Sequence, residues 1–153
     1  PPWKPVMTHT RVGKILVVGS SVLIAACGGG PSGPDDSEFP PVVREVKEDP
    51  SFVADIRDIF SREGCSSGAC HGAGAAAGLN LELGSAYASL VGIAATQVSF
   101  ERVTAGKADE SDLLIKLEGR QQVGARMPLG GTPLDAIDMG NLKNWINKGA
   151  KNN

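Results

Sequence analysis

Gly64-Cys65-Ser66-Ser67-Gly68-Ala69-Cys70-His71-Gly72 puts two thiols and an imidazole into one short, glycine-bounded stretch. Two thiols followed at once by an imidazole are what covalent haem attachment requires. Each thiol adds to a haem vinyl group as a thioether, and the adjacent His is thereby set under the iron as an axial ligand. The usual gap between such cysteines is two residues, and here it is four. Cys65 and Cys70 then lie more than one helical turn apart, so the backbone between them has to bulge. Ser66, Ser67, Gly68 and Ala69 are all small, which makes a bulge against a flat ring sterically feasible.

Other chemistries use the same residue types and stay open on the residues alone. In an oxidising compartment Cys65 and Cys70 can pair as a small disulfide. They can also bind zinc with His71, but beyond Cys27 the chain has no other Cys or His, so acids would have to complete the shell. A thioredoxin-like redox pair wants two intervening residues and a βαβ setting, and neither is found.

An electron-carrying haem needs a second axial ligand. His9 precedes Cys27, so His71 is the only His of the chain after that point, and two-imidazole ligation within one chain is excluded. The thioether candidates are Met127 and Met139. Met127 sits in Gly124-Ala125-Arg126-Met127-Pro128-Leu129-Gly130-Gly131, which Pro128 keeps from being helical, so a side chain can point inward from extended backbone. A plain core role for Met127 stands beside this. Met139 falls inside the final helix and reads as surface or core filler.

Around these residues the pattern is mostly α, with long irregular connections. Phe52, Val53, Ile56, Ile59 and Phe60 recur at helix-face spacing, with Pro50 or Ser51 as start and Gly64 as stop. Leu79, Leu81 and Leu83 alternate briefly, and residues 86–91 suit a helical turn. Residues 111–118 suit a short helix, with Asp109, Glu110 and Asp112 near its positive end. For the last helix Thr132 is the expected N-cap, Pro133 the first helical residue and Asp135 the capping-box acid. Leu134, Leu142, Trp145 and Ile146 gather on one side of it, and Gly149 is the stop.

The N-terminal third reads as an export and anchoring device. Residues 1–6 suit neither leader nor domain, and Met7 looks like the initiator, with the residues before it a gene-start artefact. A short positive region follows, then an apolar run at 15–26, within the signal-peptide range and short of the ~20 residues of a membrane span. It ends in Leu23-Ile24-Ala25-Ala26-Cys27 before three glycines, which resembles the bacterial lipobox. Cys27 is then the lipidated N-terminus of the mature chain, and residues 7–26 are its signal peptide. An ordinary secretory signal with an incidental Cys is the plainer alternative. Residues 27–49 are rich in Gly, Pro and acids, the composition of a flexible tether, with Val42, Val43 and Val46 able to add a short extended segment. The folded domain is expected over 50–150.

At 153 residues the chain has room for one domain plus flanks. Hydrophobic residues are 41% but aromatics only 5%, so the core is modest and a buried prosthetic group would help fill it. Loss of Lys4, Arg11 and Lys14 with the leader takes the net charge from −2 to −5. No basic run or aromatic–basic interleaving is present, which argues against nucleic acid and fits a basic protein partner better.

Several pieces occur together in order: a helix, Cys65-Cys70-His71-Gly72, Gly78-Leu79-Asn80-Leu81, Gly106-Lys107-Ala108-Asp109-Glu110-Ser111-Asp112-Leu113-Leu114, Met127-Pro128, and a Trp-Ile terminal helix. Over residues 50–150 this order resembles the monohaem cytochrome c superfamily, and within it the small c-type domain frequent in planctomycete and related bacterial proteins. The resemblance implies a cytochrome c-like helical fold around one haem c, with His71 proximal and Met127 distal on the iron. Sulfur opposite His71 favours reduced iron relative to two imidazoles, and two fixed ligands suit electron transfer with redox partners in the cell envelope. Phe52, Ile56, Phe60, Leu114, Leu117 and Trp145 are the expected walls of the ring. The expected location is the periplasm or cell surface, lipid-anchored. Two other classes stay open: a haem peroxidase or sensor with a labile distal ligand, and a non-haem, disulfide-stapled surface lipoprotein acting as a binding module.

Overall fold

The apolar stripe before the Cys pair forms the helix that its spacing predicts, entered through Ser51, whose hydroxyl accepts from the Ala54 amide at 3.2 Å. The structure, a computed structural model, describes residues 43–153. The expectations for residues 1–42, including the signal peptide and Cys27, lie outside the described residues. A wide π-helical turn, Phe52–Ile56, runs directly into α1 (Arg57–Arg62). Phe52, Ile56, Ile59 and Phe60 are buried, whereas Val53 is half exposed. Gly64, at φ +70°, ends the element in the left-handed region that glycine adopts without strain.

The middle of the chain is short helices joined by hydrogen-bonded turns. Leu81 is buried, with its amide on the His71 carbonyl at 2.6 Å, but Leu83 is exposed, and the 79–83 alternation forms no strand. After α2 (Ala86–Leu90) the chain doubles back through isolated bridges, Val91 to Val103 and Ala94 to Glu101. A 3-10 turn, Ala108–Glu110, precedes α3 (Asp112–Glu118). Ser111 between them is buried. Its hydroxyl donates to the Lys107 carbonyl at 2.9 Å and accepts from the Thr104 amide at 2.9 Å, so it staples the loop instead of capping the helix.

The last helix, α4 (Ala136–Asn147), begins later than the sequence predicts. Asp135 itself is the N-cap, its Oδ1 accepting from the Ile137 and Asp138 amides at 3.1 and 2.9 Å. One carboxylate thus satisfies two of the orphan amides, and Thr132 and Pro133 stay in the approach loop. At the other end the Gly149 amide bonds the Ile146 carbonyl and the Ala150 amide the Trp145 carbonyl. This pair of bonds is a Schellman stop. Leu142, Trp145 and Ile146 are buried, and Trp145 meets Phe52 with ring centroids 5.3 Å apart. Phe52 in turn packs edge-on against Tyr87 at 5.1 Å. The protein is mostly α, with these aromatics at the centre of one core.

The boundary expected at residue 50 moves to earlier in the chain. Residues 43–49 form a strap without regular secondary structure that lies along α4: Asn141 receives the Lys47 amide at 2.7 Å and donates to the Glu45 carbonyl at 3.0 Å, and Asn144 donates to the Lys47 carbonyl at 2.7 Å. A Cβ on Gly140 would come within 2.9 Å of Val46, so the close approach requires that glycine. The C-terminus is also held, since the Asn153 carbonyl accepts from the Val53 amide and the Ser51 hydroxyl. The end of the segment read as tether is therefore part of the folded unit.

Asp138 joins these parts. It is buried, 2% exposed, and accepts from Arg44 at 3.1 Å and from Arg62 at 3.0 and 3.1 Å, linking strap, α1 and α4. Asp138→Ala should cost about 2 kcal/mol, one strong charge-assisted bond discounted for arginines that can turn to water. The measurement is the urea midpoint. Asp135 is held below the ordinary aspartate range, first by the Asp138 amide and then by Arg44. Its contribution is complete above the unfolded value of about 3.9 and disappears as pH falls through the lowered one. Asp135→Asn should therefore flatten the acid limb of a circular-dichroism unfolding curve below about pH 4.

Candidate functional site

The stretch from Gly64 to Gly72 closes on itself through its own backbone. The Ser66 amide bonds the Phe60 carbonyl, Ser67 that of Gly64, Cys70 that of Ser67, His71 that of Cys65 at 3.0 Å, and Gly72 that of Ser67 at 2.9 Å. These bonds absorb the four-residue gap as an outward bulge, with Ser67, Gly68, Ala69 and Cys70 exposed. Gly72 is buried at the neck of the loop, where a Cβ would meet the Ser67 and Ser66 carbonyl oxygens at 2.8 and 2.9 Å. Any side chain there collides with backbone. Cys65 and Cys70 are free thiols. The Cys65 thiol is pushed up to about 11, chiefly by burial and secondarily by the Glu63 charge.

His71 is fixed from both sides. Its carbonyl takes the Leu81 amide, and its ring Nδ1 lies 3.1 Å from the Ala76 carbonyl oxygen. A carbonyl only accepts, so Nδ1 carries the proton and donates, which leaves Nε2 with its lone pair free to bind. The Ala76 carbonyl is presented by a 3-10 turn, Ala76–Gly78, in which Ala75 just before it and Ala77 within it have φ of +45° and +53°. Alanine in that region costs about 1–2 kcal/mol, so the turn is strained.

Met127 is placed by α3. Its amide bonds the Lys116 carbonyl at 3.0 Å, and its side chain packs against the core. Cys65, Cys70 and His71, and Met127 far from them in sequence, all line one partly open cleft of about 290 Å³. Its wall is largely apolar: Phe60, Leu79, Leu81, Leu90, Leu113 and Leu117, with Pro128, Leu129 and Leu134 beside Met127. Of the ring walls expected from sequence, Phe60 and Leu117 are there. Phe52, Ile56, Leu114 and Trp145 lie instead in the central core cluster. For Leu114 the reason is helical phase: Leu113 and Leu117 sit one turn apart on the cleft side of α3, and Leu114, about 100° round from Leu113, turns to the core. Met139 packs against the core and is not part of the cleft wall.

Sequence reasoning missed the polar part of the cleft, where Arg102, Lys116, Gln97 and Asp112 stand. Arg102 donates to the Ser89 and Ala77 carbonyls at 2.8 and 3.2 Å, and Lys116 to the Val123 carbonyl at 2.7 Å. Burial raises the Asp112 carboxyl above its ordinary value, against the pull of Lys116 and Arg102. Arg102, Lys116 and Gln97 belong to no motif, and Asp112 reads from sequence only as an acid at a helix start, so only the fold brings them into view together. Among the described residues no group of three or more His, Cys, Asp or Glu is arranged to hold a metal ion. No family model, curated protein or solved structure matches the chain.

Two outcomes test this geometry. Gly72→Ala should break the neck of the loop and lower the thermal midpoint, while Gly68→Ala, with open space at its Cβ, should leave it nearly unchanged. With both thiols free, iodoacetamide should alkylate exposed Cys70 before half-buried Cys65, as read by peptide mass. The reverse order would contradict the deeper burial of Cys65.

Proposed function

We propose that the cleft holds one haem c, attached through Cys65 and Cys70 and ligated by His71 and Met127, and that the protein carries electrons outside the cytoplasm from a lipid anchor at Cys27. The observation that carries this reading is that both thiols, the imidazole and the thioether line a single apolar cleft. The donor set fits the group. Two thiols serve the vinyl carbons, and an imidazole with Nδ1 already engaged presents Nε2. The apolar wall suits a flat macrocycle.

When bound, the haem supplies a one-electron iron couple. The chain's own residues set its conditions. Cys65 and Cys70 fix the position of the ring, and the loop between them has the closed backbone that a permanent attachment needs. The Ala76 carbonyl orients His71 and makes it a stronger donor. Met127 adds a soft sulfur ligand that favours the reduced metal. The leucines of α3 and the loop exclude water, which lowers the local dielectric. Held by both His71 and Met127, the group would supply electron transfer rather than oxygen or peroxide chemistry. Export and anchoring rest on the apolar run and the small residues before Cys27.

An intact mass and a pyridine haemochrome spectrum of protein matured with haem-attachment machinery test the proposal. A mass increment of one haem, with both thiols consumed, is the expected result. A colourless product with both cysteines free or bridged to each other would overturn it. Met127→Ala should lower the midpoint potential and admit carbon monoxide or cyanide at neutral pH. An unchanged spectrum and potential would remove Met127 from the ligand set.

A further inference from the structure

Arg102 lies far in sequence from the Cys65–Gly72 loop, yet it reaches the turn that orients His71. Its backbone is locked: the Arg102 amide donates to the Ile93 carbonyl at 2.7 Å, and its own carbonyl accepts from the Leu113 amide at 3.0 Å. From that base the guanidinium donates Nη1 to the Ser89 carbonyl at 2.8 Å and Nη2 to the Ala77 carbonyl at 3.2 Å. A Cβ on Gly78 would stand 3.2 Å from the same Nη2, so the turn closes tightly over the charge. Ala77 is the left-handed alanine directly after Ala76, whose carbonyl takes the His71 Nδ1 proton.

We infer that Arg102 is a positioning residue: its guanidinium clamps the strained 75–78 turn so that the Ala76 carbonyl stays aimed at Nδ1 of His71. A strained turn persists only where its surroundings over-determine it. The Gly78-to-Ala75 and Leu79-to-Ala76 bonds are local, and the Ala75 amide ties the start of the turn to the Gly72 carbonyl of the Cys loop. Arg102 ties the later half of the turn to a different element, because its other arm is on the end of α2. A charged, planar fork is suited to bridging two carbonyls held by different elements. The redox identity of His71 belongs to the preceding proposal, and the role of Arg102 deepens that reading. The clamp itself is a statement about one hydrogen bond.

That hydrogen bond can be read directly. Beyond Cys27 His71 is the only histidine, so matured protein labelled with 15N-histidine gives a single ring, and His9→Gln removes the other signal where the leader is retained. In wild type the His71 Nδ1 proton should be present and slow to exchange. Arg102→Met, which keeps most of the stem and removes the fork, should speed that exchange about tenfold, the equivalent of roughly one net hydrogen bond. Arg102→Lys, able to reach only one carbonyl, gives a milder acceleration and serves if the Met variant does not fold. Asp138→Ala is the control for general destabilisation and should leave the rate alone. Exchange unaltered by both Arg102 variants, or accelerated equally by Asp138→Ala, overturns the clamp. The measurement applies to coloured and colourless preparations alike, so failure of the clamp and failure of the haem reading are seen separately.

Discussion

Everything at the cleft depends on one hydrogen bond, from Nδ1 of His71 to the Ala76 carbonyl. An imidazole has two equivalent-looking nitrogens, and a ring free to turn offers either to a ligand. Engaging one with an acceptor that has no proton of its own decides which nitrogen carries hydrogen and which keeps a lone pair. It also removes the rotation that would otherwise have to be frozen when the ring is used. The left-handed alanines at 75 and 77 mark where backbone comfort is given up for that aim.

The remainder of the fold gives this bond something rigid to stand on. The aromatic group of Phe52, Tyr87 and Trp145 ties the entry helix, α2 and α4 into one core. The buried carboxylate of Asp138 links α1 and α4 to the incoming strap through Arg62 and Arg44. With only short helices, the molecule relies on its connections being bonded. Ser111 pins the loop ahead of α3, and Asn141 and Asn144 tie the strap to α4, doing in polar form what a larger core would do by packing. The strap also means that the folded body begins close to where any tether ends.

The cleft divides its tasks by side. The Cys loop and the 75–78 turn contribute backbone geometry, α3 contributes an aliphatic face and the placement of Met127, and Arg102 and Lys116 contribute positive charge committed to backbone carbonyls. Charges used in this way brace the cleft mouth. Beside them the Asp112 carboxyl is raised above its ordinary value by partial burial, against the pull of Lys116 and Arg102.

Local information alone was enough for much of this. The spacing of Phe52, Ile56, Ile59 and Phe60 specified a helix and its buried face, and Gly149 specified the last stop, because both follow from short-range backbone geometry. The Cys65, Cys70 and His71 cluster was legible as chemistry, since residue type and spacing carry it. Tertiary structure decided the rest. The sequence points to Thr132 as N-cap with Asp135 as the capping-box acid, whereas in the fold Asp135 itself caps α4 through the Ile137 and Asp138 amides. Leu114 and Trp145 looked like cleft walls but lie in the core, Leu114 through helical phase. Arg102 and the Ala76 carbonyl had no signal at all: a backbone acceptor has no letter of its own, and an arginine's partners are chosen by distance in space, which periodicity along a chain does not encode.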